Sequence, residues 1–177
     1  YVYIGSGGVE GHLSASNARI NSKTHLNYGS LSLTGCTLTD TLYIQNADSD
    51  LTLSGNEFTS NNPAYVPGYR VEELEGNSFT SSTSAVIHLF EGAVTQSATW
   101  GVMGSVNRYY GDNLSILEGA SLTLESGVTL SSGTISIFAN SSLILESGVA
   151  VSAPYVYIGS GGVEGHLSAS NARINSK

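Results

Sequence analysis

The sequence predicts an all-β fold, a three-sided parallel β-helix (a β-solenoid) of about seven coils. Three observations predict it. Residues 155–177 repeat residues 1–23 without a mismatch, which sets an internal period of 154 residues. Within that period, short segments with apolar residues at every second position recur at a mean step of about 22 residues. Turn-forming residues separate the segments: the chain holds 29 Ser and 21 Gly.

The segments fall into three sets. The first set reads His12-Leu-Ser-Ala, Ser30-Leu-Ser-Leu, Asp50-Leu-Thr-Leu, Glu73-Leu-Glu, Ser121-Leu-Thr-Leu and Ser142-Leu-Ile-Leu. The second reads Ala18-Arg-Ile, Cys36-Thr-Leu, Asn56-Glu-Phe, Asn77-Ser-Phe, Ala98-Thr-Trp, Val128-Thr-Leu and Val149-Ala-Val. The third reads Val2-Tyr-Ile, Leu42-Tyr-Ile, Ala85-Val-Ile-His-Leu, Ile135-Ser-Ile and Val156-Tyr-Ile. Period-2 alternation marks a strand with one buried face, so each set is expected to form one side of a coil. The first apolar positions of set one lie at 122, 143, 167 (the copy of 13), 31, 51, 72 and 93, with a longer final step from 93 to the next 122. Seven such steps fill the repeat, so it is expected to hold a whole number of coils. Glu72 and Ala93 are poor core residues, and the register is least regular there.

Composition narrows the alternatives. Only 11% of the chain is charged and 40% is hydrophobic, which excludes a disordered polyelectrolyte. One Cys excludes an intrachain disulfide framework and a Cys-rich zinc site. A net charge of −8 argues against binding nucleic acid phosphates. No apolar stretch approaches the roughly 20 residues of a transmembrane helix. Sustained helical periodicity is absent and Gly interrupts throughout. A β-sandwich also has many short strands, but its strands do not recur as aligned copies of one unit.

The pieces Gly55-Asn-Glu-Phe and Gly76-Asn-Ser-Phe resemble the N-x-F turn-and-strand element of right-handed β-helix repeats. Those repeats belong to the pectate-lyase-like superfamily and to many bacterial surface adhesins. The Leu-Glu-Ser-Gly-Val pieces starting at Leu124 and Leu145 are similar to passenger and adhesin solenoid repeats. The resemblance implies a fold. For function it spans lyases, hydrolases, tailspikes and inert stalks.

Several residues are candidates for chemistry or contact. Glu125 and Glu146 occupy equivalent places in successive coils, with Glu75 in the same column, and stacked carboxylates suggest weak Ca²⁺ binding. Asp48-Ser-Asp50 is a turn with two carboxylates. Asn56 and Asn77 are expected to stack and share amide hydrogen bonds. Cys36 is expected inward, as a small buried hydrophobe. His12, His25 and His88 are expected on different faces, which gives no metal site. Two irregular segments, 61–70 and 101–111, are expected to be loops. Their Tyr65, Tyr69, Arg70, Arg108, Tyr109 and Tyr110 are the candidate binding residues, because Tyr and Arg favour contact hot spots. Tyr1, Tyr3 and Tyr43 are expected to add an outward aromatic stripe. Asn113-Leu-Ser and Asn140-Ser-Ser fit the glycosylation acceptor pattern.

These features point to a structural segment of a long extracellular or cell-surface solenoid fibre. Residues 1–154 would be one unit, and residues 155–177 the start of the next. No capping helix or charged terminal strand is evident at either end, which favours a continuous array. Identity of the two copies also fits an engineered or trimmed chain. The expected partners are neighbouring repeats end to end, with lateral self-association or surface glycans. No enzyme activity and no cofactor beyond Ca²⁺ is expected. The alternative is a carbohydrate-binding or polysaccharide-cleaving β-helix, which requires Asp and Glu to converge with Arg70 or Arg108 in one groove.

Overall fold

In a computed structural model the chain is a parallel β-solenoid of about eight turns. The structure describes residues 1–45, 49–117, 119–160 and 164–176; Asp48 of the expected acidic turn lies outside them. A turn carries three segments. Gly11–Ser16, Arg19–Ile20 and Thr24–Leu26 make one. Gly29–Thr34, Thr37–Leu38 and Leu42–Ile44 lie on it, followed by Asp50–Ser54, Glu57–Phe58 and Ala64–Val66.

Alternation explains the core. Inward positions place Leu31, Leu33, Leu26, Leu42 and Ile44 at 1% exposure or less, and burying each such side chain stabilises the fold by about 1.5–3 kcal/mol. The outward positions between them carry Ser32, His25 and Tyr43. Phe58 and Phe79 stack inside with centroids 5.0 Å apart. Asn56 and Asn77 also stack as expected. Asn56 is fully buried, and its Nδ2 donates to Asn77 Oδ1 at 3.0 Å and to the Leu33 carbonyl at 2.9 Å. Asn56 Oδ1 accepts the Cys36 N–H at 2.9 Å. Cys36 is buried, in the inward slot expected for it. The glycines before the two asparagines, Gly55 and Gly76, have φ of 61° and 72°, a left-handed bend that costs Gly little and other residues more.

The register departs from the expected whole number of coils. One column of strands runs the length of the solenoid, pairing Val2 with Thr24, Thr24 with Leu42, Leu42 with Ala64, Ala64 with Ile87 and Ile87 with Tyr109. It continues from Tyr109 to Leu130, Val151 and Ile174. Val156, the copy of Val2, is not in that column: it pairs with Ile135, which lies above Leu114 and Gly92–Val94 on the next side of the coil. The expected step from 93 to 122 is therefore wrong. Ala93 pairs with Ser115, and Leu122 pairs with Ala98. That long step is one turn plus one side. Strands Val106–Ile116 and Thr129–Phe138 each run around a corner and cover two sides.

A second correction concerns Glu73-Leu-Glu. In place of a strand, Gly68–Leu74 forms a 3-10 helix that buries Arg70, Val71 and Leu74. It fills the slot between Asp50–Ser54 below and Gly92–Val94 above, with the Gly68 N–H donating to the Glu91 carbonyl at 2.8 Å. Gly92 is needed on the upper side, because a Cβ there would strike the Asn113 carbonyl.

Leu143 is 1% exposed and stacks between Leu122 and Leu167. Replacing Leu143 by Asp buries an unpaired carboxylate and should cost more than about 3 kcal/mol in urea unfolding. Thr123→Asp, on the outward face of the same column, should stay within about 1 kcal/mol of the parent. Equal tolerance of both changes would contradict the inward assignment.

Candidate functional site

Outward positions of the long column hold aromatic rings turn after turn. The registers place Tyr3 against His25, His25 against Tyr43, Tyr43 against Tyr65, Tyr65 against His88 and His88 against Tyr110. Strand spacing of about 4.8 Å is close to ring-stacking distance, so the backbone itself sets the rings face to face. Successive centroids are 4.8, 4.3, 4.8 and 4.3 Å apart from Tyr3 to His88, and the His25–Tyr43 and Tyr65–His88 planes lie within 5°. At the top the ladder breaks geometry: Tyr110 meets His88 at 66° and 5.6 Å. Above Tyr110 the column continues with Ser131, which ends the stack.

The expected aromatic stripe of Tyr1, Tyr3 and Tyr43 is therefore present. The expectation that His25 and His88 lie on different faces is not met, since both belong to this ladder. The signal was local: each His takes the middle place that Tyr holds in Leu42-Tyr-Ile, in Thr24-His-Leu and Ile87-His-Leu. His12 lies on another side, with Nδ1 2.8 Å from Ser30 Oγ. His88 Nε2 lies 2.9 Å from Asn62 Oδ1, a contact that calls for the Nε2–H tautomer.

The six candidate contact residues do not form one loop surface. Tyr65 and Tyr110 are ladder members, and Arg108 is exposed beside Tyr110 on the same strand. An open groove of about 440 Å³ flanks them, lined among others by Tyr65, His88, Phe90, Tyr110 and Asp112. Tyr109 points the opposite way. It is 1% exposed, stacks on Trp100 at 5.2 Å and donates its hydroxyl to the Gly101 carbonyl at 2.6 Å. Burial, then the carboxylates of Glu75 and Glu125, push its phenol above the ordinary value. Arg70 is also buried, at 4% exposure, and its guanidinium grips Glu73 at 2.8 and 2.9 Å and the Ser49 carbonyl at 2.8 Å. Arg70 and Tyr109 thus serve the interior, because strand alternation and the 3-10 helix turn them inward.

Glu125 and Glu146 are exposed turn residues. The Glu146 carboxylate accepts the Ser126 N–H at 3.2 Å, and Glu75 and Glu125 line one shallow groove. Among the described residues no three His, Cys, Asp or Glu side chains come together as a metal site.

What the ladder can do follows from its geometry. A ring stacked on both faces offers only its edge and polar atoms to water. Such rings do not present the flat platform that a sugar face needs; the two ends of the ladder depart from this, Tyr3 on the first strand, 62% exposed, and Tyr110, 47% exposed and turned on edge. The ladder also disfavours the charged forms of His25 and His88. Burial first, then the Lys23 ammonium and the N-terminus, lower the pKa of His25; burial lowers that of His88. A histidine depressed in the folded state stays neutral while the unfolded chain takes up protons, so stability is lost as pH falls below about 6.5. Unfolding midpoints should decline from pH 7 to pH 5 in the parent and less steeply in a His25→Tyr/His88→Tyr double variant. Equal slopes would show that the ladder histidines do not contribute. No protein-family model, curated protein or solved structure matches the chain.

Proposed function

We propose that the chain is a structural segment of a long extracellular or cell-surface solenoid fibre, built from tandem 154-residue units. One observation carries this reading. The second copy continues the stack as one further turn of the same solenoid: Val156 sits on Ile135, Leu167 on Leu143 and Ile174 on Val151. Its corner repeats the first copy's conformation, with φ of 49° at Asn171 and 51° at Asn17. A unit whose beginning fits upon its own later turns supports extension by repetition.

The fibre's stiffness comes from axial backbone hydrogen bonds and a continuous apolar core. Its surface is acidic, with 13 acidic and 4 basic residues per unit, which keeps it soluble and away from nucleic acid phosphates. Its partners are the next unit end to end and, laterally, other copies or surface glycans. Kinship with the pectate-lyase-like superfamily and with giant-repeat surface adhesins fits this use of the fold.

The carbohydrate reading has one observation in its favour. Arg70, Glu73, Asp50, Tyr69 and Gln96 line one polar groove beside the 3-10 helix. Its cation is committed to Glu73 and to the Ser49 carbonyl, which favours a structural role for the groove over catalysis.

Chains of one, two and three units separate the readings. Small-angle scattering should show the maximum dimension rising by roughly 35 Å per added unit, at constant cross-section, from stacked strands about 4.8 Å apart. Growth in cross-section instead would mean that units fold side by side and no fibre forms. Binding of neutral or acidic oligosaccharides lost in Arg70→Lys would favour the groove.

A further inference from the structure

We infer that each 154-residue unit advances the solenoid by seven and one third turns, so that successive units present the same surface one side further around the rod. The register of this single chain carries the inference; its consequence for an array rests on the tandem reading above.

Three pairs of identical residues make the shift visible. Val2 begins the long column, and seven pairings along it lead to Val151. Val156 follows Val151 by one corner and pairs in the neighbouring column, with Ile135. Ile20 pairs with Leu38 on one side, whereas its copy Ile174 pairs with Val151 in the long column. Leu13 pairs with Leu31, whereas its copy Leu167 pairs with Leu143, two sides away from Val151 along the turn. Every copied segment has moved by one side in the same direction. With three segments per turn, that is seven turns and a third. The mean turn is then as long as the spacing from Leu122 to Leu143 and from Leu130 to Val151.

The cause is local. In the lower turns the Ser-Leu-x-Leu motif lies on the side of Gly29–Thr34. In the upper turns the same motif, in Ser121–Leu124 and Ser142–Leu145, lies one side later. The extra side is residues 113–116: Ala93 completes its turn at Ser115, and the motif returns only one side later, at Leu122.

The consequence is a rod without a single distinguished face. The aromatic ladder occupies one side from Tyr3 to Tyr110 and stops. Tyr155 and Tyr157 then begin it again on the next side, 54% and 53% exposed and stacked at 11°, as Tyr1 and Tyr3 are at 13°. After three units, roughly 106 Å along the axis, the ladder returns to its first side. Lateral contacts made through it would then point in three directions in turn, which suits a bundle rather than a flat ribbon.

Cysteine pairs in the present chain test the register. A whole number of coils aligns Ala98-Thr-Trp with Val128-Thr-Leu and so sets Thr99 against Thr129. The structure sets Thr99 against Thr123, and Thr123 and Thr129 lie on different sides. On mild oxidation, Thr99→Cys with Thr123→Cys should lose both reactive thiols to alkylation, read by mass spectrometry, while buried Cys36 is unchanged. Thr99→Cys with Thr129→Cys should keep both. Cross-linking through Thr129, through both pairs or through neither overturns the inference. A side-chain-resolution image of a three-unit chain then shows the consequence: the Tyr3 positions should fall on three sides in succession. Rods with these tyrosines in one line would overturn the one-third step and leave the fibre reading standing. Units that form no rod at all would remove the fibre reading while the cross-links still report the register.

Discussion

Parallel backbone hydrogen bonding from turn to turn is the interaction on which the rest of this structure depends. It holds strands about 4.8 Å apart and forces like positions of successive turns into columns. Inward columns are therefore mostly apolar, and a polar side chain placed there needs a partner, as Thr24 has in the Ser22 carbonyl. The buried Asn56 obeys the same constraint. It is tolerated because its amide spans three turns, reaching Asn77 on one side and the Cys36 N–H and Leu33 carbonyl on the other.

The same spacing governs the outer surface. Planar side chains one strand apart are brought into stacking contact whether or not they serve a ligand. Tyrosines and two histidines share the ladder, with the His25–Tyr43 and Tyr65–His88 planes nearly parallel, and each ring desolvates its neighbour. A surface feature that looks suited to binding thereby becomes part of the scaffold's own cohesion. Where the stacking fails, at Tyr110, the surface opens into a groove. Arg70 illustrates the converse: a charged residue assigned to a projecting segment is drawn inside, where a bidentate carboxylate and a backbone carbonyl offset its desolvation.

A solenoid also tolerates unequal turns. Register partners lie closer along the chain from Thr24 to Leu42 than from Ala64 to Ile87, because corners absorb the difference without disturbing the columns. A 3-10 helix can replace a strand at Gly68–Leu74 for the same reason: the slot needs buried Val71 and Leu74 more than it needs a ladder of hydrogen bonds. This tolerance permits a repeat that is not a whole number of turns.

Within the regular segments the sequence by itself determined which residues face in and which face out, whereas Arg70 and Tyr109, in the irregular segments, were read as contact residues and lie inside. Alternation is a property of the extended backbone, so Leu143, Phe58 and Cys36 were legible as core and Tyr3 and Tyr43 as surface. The Gly-Asn pairs, one coil apart, announced the amide stack. Only the tertiary structure decided which side of the coil each segment occupies. Period-2 patterning is identical on all sides, and variable corners hide the count, so the step from 93 to 122 read as one long turn when it is a turn and a side. The histidines joined the ladder for the same reason. Their outward position is a local fact, but their neighbours are chosen by the stacking of whole turns, distant along the chain, which only folding brings together.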